Sequence, residues 1–117
     1  MKSGTDLINE AKARIEEVDA NEALALQRNG GTTFLDVRDQ QEVNLGRIPG
    51  AVHISRGTLE TKIEGAVPRE ARIVVYCASG NRSALATDTL RSMGYEGARS
   101  LAGGFRAWAE AGGDIDG

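Results

Sequence analysis

The sequence predicts an α/β fold: a central, mostly parallel sheet of about five strands with helices on both faces. Three observations carry that expectation. Segments of strand character alternate with segments of helical periodicity, the pattern that lays strands parallel with right-handed crossovers between them. The strongest strand, Arg72-Ile73-Val74-Val75-Tyr76-Cys77, has an unbroken apolar run, as in a strand buried on both faces. The length of 117 residues suits one domain with one core and needs no staples.

The elements follow in order. Leu7, Ile8, Ala11, Ile15 and Val18 recur at helical spacing, with Ser3 or Thr5 as the cap. This gives an N-terminal helical extension over residues 1–14, packed on a domain spanning 15–117, although the periodicity itself runs on through Val18. Asp19 caps a second helix, Asn21 to Asn29, with Ala23, Leu24 and Leu26 on one side and Gly30-Gly31 at its end. Thr33 to Val37 is a compact strand ending in charge, and Gln40 to Leu45 makes one or two helical turns stopped at Gly46. Ile48-Pro49-Gly50 is a turn, Ala51 to Ile54 a short strand, and Leu59 with Ile63 marks a short amphipathic helix ending at Gly65. Beyond Cys77, Ala78 to Gly80 is a tight loop. Arg82 to Met93 is a helix with Leu85, Ala86, Leu90 and Met93 inward, and Gly94 is its stop. Ala98 to Leu101 is the last strand. Gly103-Gly104 then opens a helix carrying Phe105, Trp108 and Ala109, closed by Gly112-Gly113.

Composition narrows the function. Fifteen residues are glycine, about twice the usual share, which points to many turns or to a backbone that approaches something closely. Cys77 and His53 are the only residues of their kinds. One cysteine forms neither an internal disulfide nor a CxxC pair, and with one histidine it cannot complete a structural zinc site. No metal and no cofactor is therefore expected. The net charge is −3 with both signs interspersed, so there is no basic footprint for nucleic acid. No apolar run approaches the ~18 residues of a membrane span. The first six residues lack the apolar stretch of a signal peptide. A cytoplasmic protein with one free thiol is the expectation.

The chemistry concentrates at strand ends, where open α/β sheets bind ligands. Cys77 is followed by Ala78-Ser79-Gly80-Asn81-Arg82-Ser83 and then a helix. Such a loop presents several backbone N–H groups and the positive end of the helix dipole to one point, a nest for an anion. A thiol facing it ionises readily, because the donors and Arg82 stabilise the thiolate. The competing reading is an inert buried cysteine; the glycine, the arginine and the following helix favour the nucleophile.

Four blocks make the chain similar to the rhodanese-like family, as a single-domain sulfurtransferase. They are Leu35-Asp36-Val37-Arg38, Gly46-Arg47-Ile48-Pro49-Gly50-Ala51, Tyr76 to Ser83, and Leu101-Ala102-Gly103-Gly104-Phe105-Arg106-Ala107-Trp108, in the family's order. The resemblance implies that Cys77 is the catalytic cysteine and that Ala78, Ser79, Gly80, Asn81, Arg82 and Ser83 form the substrate-binding loop. It implies that Cys77 takes a sulfane sulfur from a small-molecule donor, thiosulfate being the default, and passes it from a persulfide to cyanide or a thiol. A sulfur-accepting protein is the alternative recipient. It also implies that Asp36 and Arg38 support the pocket, and a short strand near Ile15–Val18 where periodicity runs a helix.

Several neighbours are read more plainly. Glu42 is expected to be a solvated helix residue, although Arg82 and Arg38 are within its choice of partners. Arg47 departs from the family's common histidine and reads as a surface change. His53 reads as a core or surface histidine, and Phe105 and Trp108 as core. Two rival functions share the fold. A phosphatase or arsenate reductase would use Cys-x5-Arg, whereas this chain has Cys-x4-Arg with Ser83 in the next position. A non-catalytic regulatory module usually lacks the cysteine that this chain keeps.

Overall fold

The computed structural model describes residues 1–117. Its elements run α1 (Gly4–Arg14), β1 (Glu17–Val18), α2 (Ala20–Asn29), β2 (Thr32–Asp36), α3 (Gln40–Asn44), β3 (Val52–His53), α4 (Leu59–Ala66), β4 (Arg72–Tyr76), α5 (Asn81–Ser92), β5 (Ala98–Leu101) and α6 (Gly104–Glu110). The five strands form one sheet in the order β1-β5-β4-β2-β3, and every pairing is parallel.

Alternation along β4 builds two cores from one strand. Ile73, Val75 and Cys77 face α4 and α5, meeting Leu59, Ile63, Ala86 and Leu90. Val74 and Tyr76 face α2 and α6, meeting Ala23 and Trp108. Side chains on a strand point to opposite faces in turn, so a central strand covered on both sides must be apolar throughout. The Tyr76 hydroxyl fits this rule because it accepts the Ile48 N–H at 3.2 Å.

Caps set the helix boundaries. The Ser3 side chain accepts the Asp6 N–H and the Asp6 carboxylate accepts the Ser3 N–H, a capping box. Asp19 caps α2 by accepting the Glu22 N–H at 2.8 Å. Asp39 N–H donates to Glu42 Oε1 at 3.2 Å and so opens α3.

Of the two open readings of Ile15–Val18, the structure takes the strand that the resemblance implies rather than the continued helix: α1 stops at Arg14, Ile15 is extended, and Glu17–Val18 pair with Ser100 and Leu101 of β5. Ile15 and Val18 are β-branched and three apart, a spacing that a helix and a turn into a strand both satisfy. A two-residue strand is too short to show an alternation of its own. Arg14 also turns away, its guanidinium holding Asp88 of α5 through contacts of 3.1 and 2.6 Å. One inward assignment also changes: Leu85 is only half-buried, while Ser83, Ala84 and Thr87 join Ala86 and Leu90 on α5's buried face.

Thr87 is the fold's polar debit. Its hydroxyl is buried with no hydrogen-bond partner, and an unmade buried hydrogen bond is destabilising. Thr87→Val keeps the shape and removes the orphan. We expect it to raise the unfolding free energy by about 1 kcal/mol in urea denaturation; an unchanged or lowered midpoint would contradict the orphaned hydroxyl.

Candidate active site

β2 and β4 are neighbours, but the chain leaves them toward opposite edges, β2 toward β3 and β4 toward β5. Such a divergence marks where parallel α/β proteins hold ligands. Cys77 stands there, buried, one residue past β4. Its Sγ accepts the Gly80 N–H at 3.1 Å and the Ser83 N–H at 3.3 Å. The Ser83 hydroxyl lies 3.5 Å from the same sulfur and 2.9 Å from the hydroxyl of Ser100 on β5.

These donors decide the ionisation of the thiol. Burial pushes Cys77 up, since a charge is poorly solvated there, but the Ser83 hydroxyl and the N–H groups of Ser83, Gly80 and Ser79 outweigh it and leave the pKa lowered.

The loop's shape depends on two glycines. Gly80 caps α5 at φ +102°, a conformation that side-chain-bearing residues rarely adopt, and a Cβ there would stand 3.2 Å from the Gly103 nitrogen. At Gly104 a Cβ would fall 2.5 Å from the Cys77 carbonyl oxygen. This close approach lets the first turn of α6 hold the loop: Phe105 N–H donates to Cys77 O at 2.8 Å and Arg106 N–H to Ala78 O at 3.2 Å.

Arg82 is not a free cation. It grips Glu42 of α3 with Nη1–Oε1 at 2.7 Å and Nη2–Oε2 at 2.9 Å, a bidentate pair. Hydrogen bonding from Arg82 holds the Glu42 carboxyl down to about 2. The expectation of a solvated Glu42 is therefore corrected. The Asp39 N–H donates to Glu42 Oε1 at 3.2 Å in the first turn of α3, the same oxygen that Arg82 holds.

Asp36 and Arg38 close on each other, with Arg38 Nη2–Asp36 Oδ2 at 2.8 Å and side-chain exposures of only 5% and 1%. Arg38 also donates to the Gly46 carbonyl at 2.7 Å, and its guanidinium lies 4.5 Å from the centre of the Phe105 ring. Neither residue is hydrogen-bonded to the loop. Their link to it runs through Phe105, whose N–H holds the Cys77 carbonyl. His53 Nε2 is 2.7 Å from the Arg38 carbonyl. Arg47 is exposed and exchanges backbone hydrogen bonds with Asp116.

Of the six expected loop residues, Ser79, Gly80 and Ser83 aim donors at the sulfur, while Arg82 is held by Glu42 and Asn81 by Lys12; Ser79 and Asn81 are exposed, Ala78 and Arg82 half-buried, and Gly80 and Ser83 buried. Ser100 went unnoticed in the sequence because a serine in a short strand carries no signal without its spatial neighbour. Glu42 had one in the Asp39-x-x-Glu42 cap pattern.

A parallel α/β sheet with a cysteine in an amide-lined loop, at the carboxyl end of its central strand, defines a class of fold and site. The family model for the rhodanese-like domain matches residues 19–111, and the chain belongs to the rhodanese-like family. It is 33% identical to the human thiosulfate:glutathione sulfurtransferase, over 76% of this chain and 89% of that protein. Among solved structures, a human single-domain sulfurtransferase is 33% identical with a TM-score of 0.73, covering 80% of this chain and 95% of that one. A Rhodopseudomonas palustris protein of unknown function, described as a possible tyrosine phosphatase, is 35% identical with a TM-score of 0.91, covering 99% and 96%.

The buried ion pair yields a stability test. Asp36→Ala leaves the Arg38 guanidinium buried without its carboxylate and should cost about 3–5 kcal/mol of unfolding free energy. The double variant Asp36→Ala/Arg38→Met should recover part of that loss in the same denaturation experiment. A single variant as stable as the parent would show that the pair does not hold this region.

Proposed function

We propose that the protein is a rhodanese-type sulfurtransferase that carries sulfur as a persulfide on Cys77. The observation that carries this reading is the convergence of the Gly80 and Ser83 N–H groups on Cys77 Sγ. It makes the thiolate available without a general base. The similarity to the human sulfurtransferases named above supports it.

In the first step the Cys77 thiolate attacks the outer sulfur of a sulfane donor. A new S–S bond forms, the donor's own S–S bond breaks, and the bonding pair leaves with the donor. With thiosulfate the leaving group is sulfite. In the second step cyanide or a thiolate attacks the outer sulfur of the persulfide, releasing thiocyanate or a new persulfide and restoring the Cys77 thiolate. Charge balances in each step, and the cycle is ping-pong. The acceptor is a small molecule, or a protein thiol if the chain acts as a carrier.

The residues divide the work. The amides of Ser79, Gly80 and Ser83 stabilise the sulfur anion, Ala78 supplies the carbonyl anchored by α6, and Asn81 and Arg82 meet the donor at the rim. Arg82 starts bound to Glu42, so most of the positive potential at the sulfur comes from amides rather than from a free side chain. Cys77 is fully buried, so donor access requires the Ala78–Asn81 segment to move. No helix is long and apolar enough to cross a membrane; a thiol that must stay reduced suits the cytoplasm, where we place the protein.

Intact-mass measurement after incubation with thiosulfate tests the reading. One added sulfur atom is expected on the wild type and none on Cys77→Ser, and cyanide should remove the added sulfur. No added sulfur from thiosulfate or from a small-molecule persulfide would refute it. Turnover of an aryl phosphate without persulfide formation would instead favour the phosphatase described for the Rhodopseudomonas relative.

A further inference from the structure

Behind the loop lie two hydroxyls that packing does not require. Ser100 is paired in register with Val75 of β4, and so lies on the face where Ile73, Val75, Cys77 and Ala98 pack against α5. Ser83 sits in the first turn of α5 and meets it there. Both residues are 0% exposed. A hydroxyl in such a layer is costly unless bonded, as Thr87 one turn along the helix illustrates.

The arrangement of protons gives the pair a direction. Each serine carries one hydroxyl proton and can accept at its oxygen. The one side-chain hydrogen bond of Ser100 Oγ is the 2.9 Å contact with Ser83 Oγ. Ser83 Oγ has a second neighbour, Cys77 Sγ at 3.5 Å: the thiol donates its proton to Ser83 Oγ there, whereas the thiolate considered next has none and can only accept. If Ser83 donates to Ser100, the sulfur loses a donor and the Ser100 proton is left without an acceptor. If Ser100 donates to Ser83, the Ser83 proton is committed to the sulfur, and both hydroxyls are satisfied.

We propose that Ser100 is a positioning residue for Cys77: its hydroxyl donates to Ser83 Oγ and so directs and strengthens the Ser83 hydrogen bond to the sulfur. A hydroxyl that accepts a hydrogen bond donates a stronger one, and an anion gains more from it than a neutral thiol does. The same bond serves the thiolate before sulfur uptake and the inner sulfur of the persulfide afterwards. The role rests on Cys77 being the nucleophile proposed above.

The charged groups around the sulfur do not supply this effect. Arg82 reaches it from α5 but is closed on Glu42 of α3. Asp36 and Arg38 at the end of β2 are closed on each other, and His53 of β3 lies against the Arg38 carbonyl. From the β5 side the sulfur's hydroxyl chain ends in Ser100.

Thiolate absorbance titration of the full chain tests the proposal, with Cys77→Ser as the spectral blank and thermal melting as the check on folding. Ser100→Ala should raise the Cys77 pKa by about half a unit, roughly a threefold loss of thiolate well below the midpoint, and Ser83→Ala by about one unit. The double variant should match Ser83→Ala alone, because Ser100 acts only through Ser83. Ser100→Thr and Ser100→Val form a matched pair of nearly equal shape that covers the case of an unfolded alanine variant; only the valine should shift the titration. A folded Ser100→Ala or Ser100→Val with an unmoved pKa overturns the proposal, as does a double variant whose shift is the sum of the two. No sulfur donor enters the titration, so failure of sulfur transfer and failure of the Ser100 role are separate results.

Discussion

The structure turns on hydrogen bonds from backbone amides to one buried sulfur. Removing a thiol from water favours its neutral form, and the N–H groups of Gly80 and Ser83 reverse that preference. Those amides point inward only if the chain turns sharply after β4 and enters α5 at once. Gly80 in a left-handed conformation provides the turn, and the position of β4 in the sheet fixes where it occurs. The nest needs no base and no metal to supply an anionic sulfur, which matches a chain whose single histidine is engaged with a backbone carbonyl.

The loop is braced by backbone hydrogen bonds from α6 and by two ion pairs around it. The first turn of α6 comes close enough, at Gly104, to donate to the carbonyls of Cys77 and Ala78. Phe105, whose N–H makes one of those bonds, also lies over the Arg38 guanidinium, so the buried Asp36–Arg38 pair steadies the same brace from beneath. Arg82 and Glu42 tie α5 to α3 beside the loop. Precision at the sulfur therefore depends on four elements that are distant in sequence, and two ion pairs hold them without leaving a free charge in the site.

Much of this was legible in the sequence because one-dimensional signals matched three-dimensional needs. The unbroken run from Ile73 to Tyr76 had to be a central strand, and the glycine after Cys77 had to be a turn. The Asp36-Val37-Arg38 block put two charges at a strand end, where they pair. Other features depend on partners that sequence does not display. β1 is a strand only because β5 lies beside it; from its own residues it continues a helix. Glu42 looks like any solvated helix residue until Arg82 arrives from forty positions away. Ser100 has no meaning apart from Ser83, and Lys12 none apart from Asn81, which its ammonium contacts at 3.0 Å. The central strands and the loop after Cys77 are written in local sequence; the contacts that tune them are not.

The central claim is that amide and hydroxyl donors, outweighing burial, lower the pKa of Cys77. Titration of the wild-type thiolate by ultraviolet absorbance, referenced to Cys77→Ser, tests it most directly. The account predicts a midpoint below the value of about 8.5 for a free cysteine. A midpoint at or above that value would show that burial prevails and would contradict the account.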